Sequence, residues 1–170
     1  MSGTGKSVLL EALGATGATC FEEVPRKLLQ DQVAVDGPAL PSTDPGAFVS
    51  EMLDRSLSDF DAAAHTDSIA FYDRGIPDVI AYAQRFGVAT TQALSAAKRY
   101  RYADPVFVAP PWPEIFEQDE FRKASYNEYV VFHQLIVRAY EEAGYTLLEL
   151  PRVAVAERLR FVQSAIGGTT

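Results

Sequence analysis

The residues best suited to chemistry in this chain of 170 residues stand at its start, in the run Gly-Thr-Gly-Lys-Ser that ends at Ser7. This run matches the back part of the phosphate-binding pattern G-x-x-x-x-G-K-S/T. Its glycines let successive backbone N–H groups converge on one anion, and a helix beginning near Lys6 adds its positive N-terminal end. In that pattern the Lys6 ammonium reaches the β and γ phosphates of a nucleotide, and the Ser7 hydroxyl takes a Mg²⁺ position. We therefore predict a nucleotide-binding loop formed by Ser2, Gly3, Thr4, Gly5, Lys6, Ser7 and Val8.

The alternative for this run is a flexible, glycine-rich segment that happens to precede a helix. The apolar helix that directly follows Ser7 disfavours it, because a phosphate loop requires that context. The first glycine of the pattern falls one position before Met1, and a phosphate loop normally follows a buried strand. We expect the reading frame to continue upstream, with a strand of about four to six apolar residues that ends in glycine. The alternative is that the chain is intact and that its phosphate loop lacks the first glycine of the pattern.

Two carboxylates at the ends of predicted strands are the candidate partners of the loop. A carboxylate there can hold a metal through water or accept the proton of an attacking hydroxyl. Asp73 is predicted to be catalytic on the metal side, together with Ser7 and Lys6; the alternative is that Asp73 caps the next helix. Glu23 is predicted to be catalytic towards a substrate hydroxyl; the alternative is a solvated charge at a helix N-terminus. Since extended side chains alternate in direction, only one of Glu22 and Glu23 should face the site.

Basic and aromatic residues near these strand ends are the candidate substrate contacts. Arg26 and Arg74 are predicted to hold a substrate phosphate or carboxylate by bidentate hydrogen bonds, although either could pair with a neighbouring carboxylate. Arg122 lies in the polar part of residues 109–124, a segment that could close as a lid and bring positive charge to the nucleotide. A solvated charged turn is the alternative there. Trp112 is predicted to stack on a substrate ring, with packing beneath the lid as the alternative.

The elements that must position these residues alternate along the chain. Apolar spacing and start and stop signals predict strands over residues 18–21, 69–72, 106–108 and 145–150, and helices over 6–13, 27–32, 45–64, 77–86, 91–101, 126–143 and 153–166. This alternation predicts an α/β fold whose parallel sheet is covered on both faces through right-handed crossovers. Ligands bind such sheets at the carboxyl ends of their strands, where the polar clusters lie. We expect one domain over residues 1–166 and a disordered tail over 167–170.

Composition excludes several function classes. The chain carries a net charge of −8, which makes it a poor candidate for binding a nucleic-acid backbone. A single cysteine, Cys20, excludes an internal disulfide and fits a reducing cytoplasm. No apolar run approaches membrane-spanning length, and no signal peptide is expected. We therefore expect a cytoplasmic protein, monomeric or homodimeric, with no nucleic-acid or membrane partner.

Four motifs together resemble a known family. They are the Gly-Thr-Gly-Lys-Ser run, Glu23-x-x-Arg26, Asp73-Arg74-Gly75-Ile76-Pro77-Asp78, and Pro111-Trp112-Pro113-Glu114. The chain resembles, over nearly its whole length, the small bacterial AAA-type P-loop ATPases related to ribosylnicotinamide kinase and, more distantly, to nucleoside and nucleotide kinases. The resemblance implies a three-layer αβα P-loop NTPase fold with parallel strand order 2-3-1-4-5, from which the first strand is missing here. It also implies ATP with Mg²⁺, and a lid after the fourth strand.

The residue roles implied by the resemblance agree with those read from the residues. Lys6 and Ser7 lie at the nucleotide, Asp73 at the metal or the reacting hydroxyl, and Glu23 and Arg26 at the acceptor. The chain is therefore predicted to be a kinase that moves the γ-phosphate of ATP to a small hydroxyl-bearing acceptor, such as a nucleoside or riboside. The alternatives are an ATPase or nucleotide-gated regulatory module without such an acceptor, and an inactive nucleotide-binding domain.

Overall fold

The computed structural model describes residues 4–118 and 124–167, in which strands and helices alternate as predicted. The elements in chain order are α1 Lys6–Gly14, β1 Thr19–Phe21, α2 Val24–Ala34, α3 Pro45–Ala63, β2 Ala70–Tyr72, α4 Ile76–Phe86, α5 Thr91–Arg99, β3 Val106–Val108, a 3₁₀ turn Pro113–Ile115, α6 Tyr126–Glu142, β4 Leu147–Glu149 and α7 Val155–Gly167. The α/β class is confirmed. The tail predicted at 167–170 falls almost entirely outside the described residues.

Several element ends differ from prediction by one to three residues, and two of these differences have clear local reasons. Helix α5 stops at Arg99, two residues early, because Tyr100 already has an extended backbone (φ −110°, ψ 92°). Strand β4 begins two residues late because the Tyr145 N–H donates to Tyr140 O at 3.1 Å, at the end of α6, and is lost to the sheet. Helix starts follow their sequence signals: Asp44 Oδ1 accepts from the Ala47 N–H at 2.9 Å and caps α3.

The described strands form two parallel pairs. Strand β1 pairs with β2, with Cys20 opposite Phe71, and β3 pairs with β4, with Phe107 opposite Leu148. The predicted order 2-3-1-4-5 counts the missing first strand as strand 1, so β1 to β4 correspond to its strands 2 to 5. Each observed pair then joins strands that are neighbours in that order, and the order as a whole stays a prediction. A cavity of about 620 Å³ is lined by β2, by β3 and by the Leu9 side of α1. It extends from these apolar walls to the strand ends where the predicted site residues lie.

Two apolar cores support these elements. The larger lies among α2 to α6 and includes fully buried Phe48, Met52 and Val79. The smaller lies beneath the strands, where Leu13 of α1 and Val162 of α7 are buried side by side with Leu150. The core among α2 to α6 is thus the larger one, and the apolar side chains of α1 are buried partly against α7. Within the described ranges, no helix is both long enough and apolar enough to cross a membrane.

Candidate functional site

The phosphate-loop side of the site is formed by Thr4, Gly5 and the first turn of α1. Gly5 adopts a left-handed backbone (φ 67°, ψ 17°), a conformation that glycine reaches without strain, and α1 begins at the next residue. Among the described residues, no side chain caps this helix end. The Lys6 ammonium donates to Thr4 Oγ1 at 3.2 Å, so the lysine folds back over the loop. Predicted Ser2, Gly3 and Arg122 lie outside the described residues.

Asp73 meets the loop from the carboxyl end of β2. Its N–H donates to Phe21 O at 2.9 Å, which fixes it directly beyond the β1–β2 pair. Lys6 Nζ lies 3.9 Å from Asp73 Oδ1, an ion-pair separation too long for a hydrogen bond. Burial raises the pKa of Asp73, and the Lys6 charge opposes that shift. The structure thus brings together Lys6 and Asp73, which the sequence assigned to one site although they are 67 positions apart.

The alternative role for Asp73, capping the following helix, is wrong. The N-cap of α4 is Gly75, and its N–H donates to Asp78 Oδ2 at 2.9 Å. Asp78, the third residue of α4, is therefore the carboxylate that caps this helix. Asp73 stays buried, and its Oδ1 atom has no hydrogen-bond partner among the described residues.

The donor set at this end of β2 fits Mg²⁺ that arrives with a nucleotide. Mg²⁺ prefers oxygen ligands and keeps several waters, so one or two protein oxygens suffice beside substrate phosphates. Asp73 Oδ1 is a buried carboxylate oxygen without a hydrogen bond, and Ser7 lies half-buried in the first turn of α1. In the described part of the chain, no group of three or more His, Cys, Asp or Glu residues could hold a metal by itself. A Mg²⁺ ion held here would depend on the nucleotide for further ligands.

Arg74 is the centre of a buried ionic network. Its Nε donates to Glu23 Oε1 at 2.7 Å and its Nη1 to Asp78 Oδ1 at 2.8 Å. The second Asp78 oxygen accepts from the Tyr140 hydroxyl at 2.7 Å, in addition to the Gly75 N–H. The predicted contact between Arg74 and substrate is therefore not what this geometry favours. Two carboxylates take the guanidinium in bonds with little exposure to water, which is the alternative that the sequence left open.

The network also distinguishes Glu23 from its neighbour. Glu23 is 7% exposed, whereas Glu22 is exposed to solvent. The expectation that one of the pair faces inward is confirmed, and a solvated charge at the helix end is wrong for Glu23. Arg26 lies half-buried in the first turn of α2, three residues further on. The structure does not test whether Glu23 and Arg26 meet an acceptor, and both roles stay predictions.

Arg158 is a site residue that the sequence reasoning missed. It is 3% exposed on α7, and its Nη1 donates to Thr4 O at 2.6 Å, in the phosphate loop. Its guanidinium carbon lies 5.9 Å from the centroid of the Trp112 ring, so this arginine covers the face of the predicted stacking residue. Burial lowers the pKa of Arg158. The spacing of Arg158 and Val162 on one helix face was a weak sign that this arginine points inward.

Several residues of α6 line the same cavity as Lys6 and Asp73, and two of them have neighbouring rings. They are Tyr129 and His133, whose rings lie 6.4 Å apart. Burial, and then the positive charges of Lys6 and Arg74, lower the pKa of His133. The cavity thus has an aromatic wall beside Lys6 and Asp73 that the motifs did not reveal.

Comparison with known proteins gives one match. A family model described as an AAA domain matches residues 2–158, which is most of the chain. The match includes the phosphate loop, Glu23 and Asp73, and it ends at Arg158. No curated protein and no solved structure matches the chain.

Proposed function

This chain belongs to the AAA domain family of nucleotide-binding P-loop proteins, and on that premise we propose that it transfers the γ-phosphate of ATP to a small hydroxyl-bearing acceptor. A nucleoside or riboside is the acceptor class we favour, and a cytoplasmic location is part of the proposal. The observation that carries it is the 3.9 Å ion pair between Lys6 at the start of α1 and Asp73 at the end of β2. Phosphoryl transfer depends on positioning and on charge neutralisation, and these two groups supply both.

The donor half of the reaction uses the loop and α1. Backbone N–H groups at the uncapped start of α1 bind phosphate oxygens, and the Lys6 ammonium neutralises charge on the β and γ phosphates. The Thr4 hydroxyl, which accepts from Lys6 at 3.2 Å, keeps the ammonium beside the loop. Ser7 and Asp73 would hold Mg²⁺, which offsets the charge that the phosphates gain during transfer.

The acceptor half uses Glu23. Arg74 donates to Glu23 Oε1 at 2.7 Å and favours the ionised carboxylate, the form able to accept a proton from a hydroxyl group. Arg74 therefore positions Glu23 and does not need to touch substrate. Arg26, in the first turn of α2, is the residue we assign to an anionic group of the acceptor.

Nucleotide binding is tested by replacing Lys6. Lys6→Ala should weaken Mg–ATP binding about 10- to 100-fold, as expected for losing one interaction with a charged group. Its melting temperature without nucleotide should stay nearly unchanged, because the Lys6 ammonium faces the cavity. Lys98→Ala, an exposed change on α5, is the matched control. Equal affinities of all three proteins by titration calorimetry would rule out a working phosphate loop.

The choice between kinase and ATPase is tested by the two carboxylates. Asp73→Asn should impair ADP release with or without an acceptor. Glu23→Gln should retain Mg–ATP binding and slow background hydrolysis, and lose acceptor-dependent transfer by about 10²–10⁴-fold, the range for a positioned general base. Glu22→Gln is the exposed neighbour control.

The assay is ADP release with a panel of nucleosides and ribosides. If no acceptor raises wild-type turnover, and Glu23→Gln slows basal hydrolysis as much as Asp73→Asn, Glu23 orients water. The protein would then be an ATPase.

A further inference from the structure

Arg158 is a buried charge to which the proposed reaction gives no role. It is 3% exposed, its Nε atom has no hydrogen-bond partner, and no carboxylate of the described residues lies within ion-pair distance. A buried guanidinium without a counter-charge is costly for a fold, because desolvation is not offset by a partner. Such a group is retained more readily where an anion can complete its surroundings.

The hydrogen bond from Arg158 determines how one peptide of the phosphate loop is turned. Its Nη1 donates to Thr4 O at 2.6 Å. Because a trans peptide is planar, its C=O and N–H point in opposite directions. With the Thr4 carbonyl directed at α7, the Gly5 N–H is directed away from α7. An anion in the loop requires inward N–H groups, so a donor that holds the carbonyl outward arranges the loop for the anion.

Gly5 and Arg158 also fit one another sterically. A Cβ atom at Gly5 would lie 2.8 Å from Arg158 Nη1, closer than side chains approach. Gly5 therefore serves two needs, its left-handed backbone and room for the guanidinium. The close approach brings the positive charge of Arg158 against the outer side of the phosphate loop.

We propose that Arg158 is a positioning residue of the nucleotide site: it turns the Thr4–Gly5 peptide for phosphate binding and adds positive charge behind the loop. This inference rests on the proposed nucleotide binding. Arg158 acts through the loop backbone and not by contact with the transferred phosphoryl group. The energetic cost of burying it is offset when the polyphosphate is bound.

The test measures Mg–ATP affinity by calorimetry and, separately, the melting temperature without nucleotide. Arg158→Gln should weaken Mg–ATP binding about 10- to 100-fold, the effect of losing a hydrogen bond with a charged donor. Arg158→Lys, which keeps a donor and the charge, should recover most of the affinity. Arg160→Gln removes the same charge from an exposed position of the same helix and should bind as wild type does.

A spectroscopic readout separates positioning from a structural role. In the wild type, Mg–ATP should shift the Gly5 amide resonance strongly. In Arg158→Gln, compared at saturating Mg–ATP, the shift should be much smaller, and in Arg158→Lys close to wild type. If Arg158→Gln melts too low to be studied, Arg158→Lys alone decides, because loss of Gly5 amide response there contradicts the proposal.

The possible failures are distinguishable. A wild-type protein that does not bind Mg–ATP overturns the proposed function itself. Wild-type binding that Arg158→Gln leaves unchanged overturns only the role of Arg158. A lower melting temperature with unchanged affinity would show that Arg158 merely joins α7 to the loop.

Discussion

Two buried arginines of this protein have opposite surroundings. Arg74 donates to carboxylates of Glu23 and Asp78 at 2.7 and 2.8 Å, so its charge is balanced within the fold. Arg158 donates to a backbone carbonyl and lies over Trp112, and no carboxylate in the described part of the chain balances its charge. A buried charge that is already paired supports the protein itself, whereas an unpaired one suggests a ligand. Sequence motifs predicted a substrate contact for Arg74, whereas its observed partners are carboxylates of the protein, and Arg158 is the arginine that contacts the Thr4 carbonyl.

The largest difference should appear when each arginine becomes methionine. Arg74→Met leaves two buried carboxylates without their partner and should lower the free energy of unfolding by about 3–5 kcal/mol. Arg158→Met leaves no buried carboxylate uncompensated and should cost much less. Urea denaturation of both variants measures this, with Arg160→Met as the exposed control. Similar losses for the two buried positions would show that the comparison is mistaken.

The Tyr140 hydroxyl probes the paired side more gently. It donates to Asp78 Oδ2 at 2.7 Å and helps to satisfy a carboxylate that Arg74 also holds. Tyr140→Phe should lower the free energy of unfolding by about 1.5–3 kcal/mol, the range for hydrogen bonds to charged groups. Tyr126→Phe, on the same helix, is the control. A loss no larger than that of the control would mean that Arg74 and the Gly75 N–H satisfy Asp78 without Tyr140.

Two glycines test the space around the arginines. A Cβ atom at Gly75 would lie 2.7 Å from the Tyr102 ring, and Gly75→Ala should lower the free energy of unfolding by about 1–3 kcal/mol through overpacking. At Gly5 the left-handed backbone costs alanine about 1–2 kcal/mol, and its Cβ also displaces the Arg158 guanidinium. Gly5→Ala should therefore lose Mg–ATP affinity as well. Unchanged affinity for Gly5→Ala would separate the loop from Arg158.

His133 gives the smallest and most local readout. Burial, followed by the charges of Lys6 and Arg74, lowers its pKa below the usual 6.5. The unfolded chain then binds a proton at higher pH than the folded one, so stability falls as pH drops from 6.5 to the folded-state pKa. His133→Gln should remove that contribution, as melting temperatures across the pH range would show.

The pKa of His133 also shows which of the two buried arginines acts on this histidine. In an NMR titration, Mg–ATP should raise the pKa of His133, because phosphate charge offsets Lys6. Arg158→Gln should leave the pKa without nucleotide unchanged, since Arg158 is not among the charges that act on it. A changed His133 pKa in Arg158→Gln would mean that Arg158 as well as Arg74 acts on His133.

Much of the fold followed from local signals. Two of the helix-start signals in the sequence are Asp44-Pro45, a capping residue followed by proline, and the capping box Ser125-x-x-Glu128, and both caps form in the structure. The ends of the predicted strands indicated where polar residues gather. For this reason the sequence assigned Lys6 and Asp73 to one site, and the structure places them 3.9 Å apart. Local patterns were sufficient wherever neighbouring residues determine the geometry.

The arginines show where local patterns stop. Arg74 had carboxylates and a ligand as possible partners, and the choice depends on Glu23, 51 residues away along the chain. Arg158 resembled other charged residues of an amphipathic helix, because Thr4 is too distant in sequence to suggest a contact. Both outcomes depend on tertiary distances that periodicity and capping rules do not contain.

The bond between Thr4 and Arg158 joins residues separated by 154 positions, and this separation has a consequence for protein synthesis. A ribosome adds about 5–20 residues per second, so the loop emerges many seconds before the helix that anchors it. Until α7 has been translated and docked, the Thr4 carbonyl lacks its donor. The segment around Thr4 is therefore translated well before α7, and it reaches its final form only after α7 has docked.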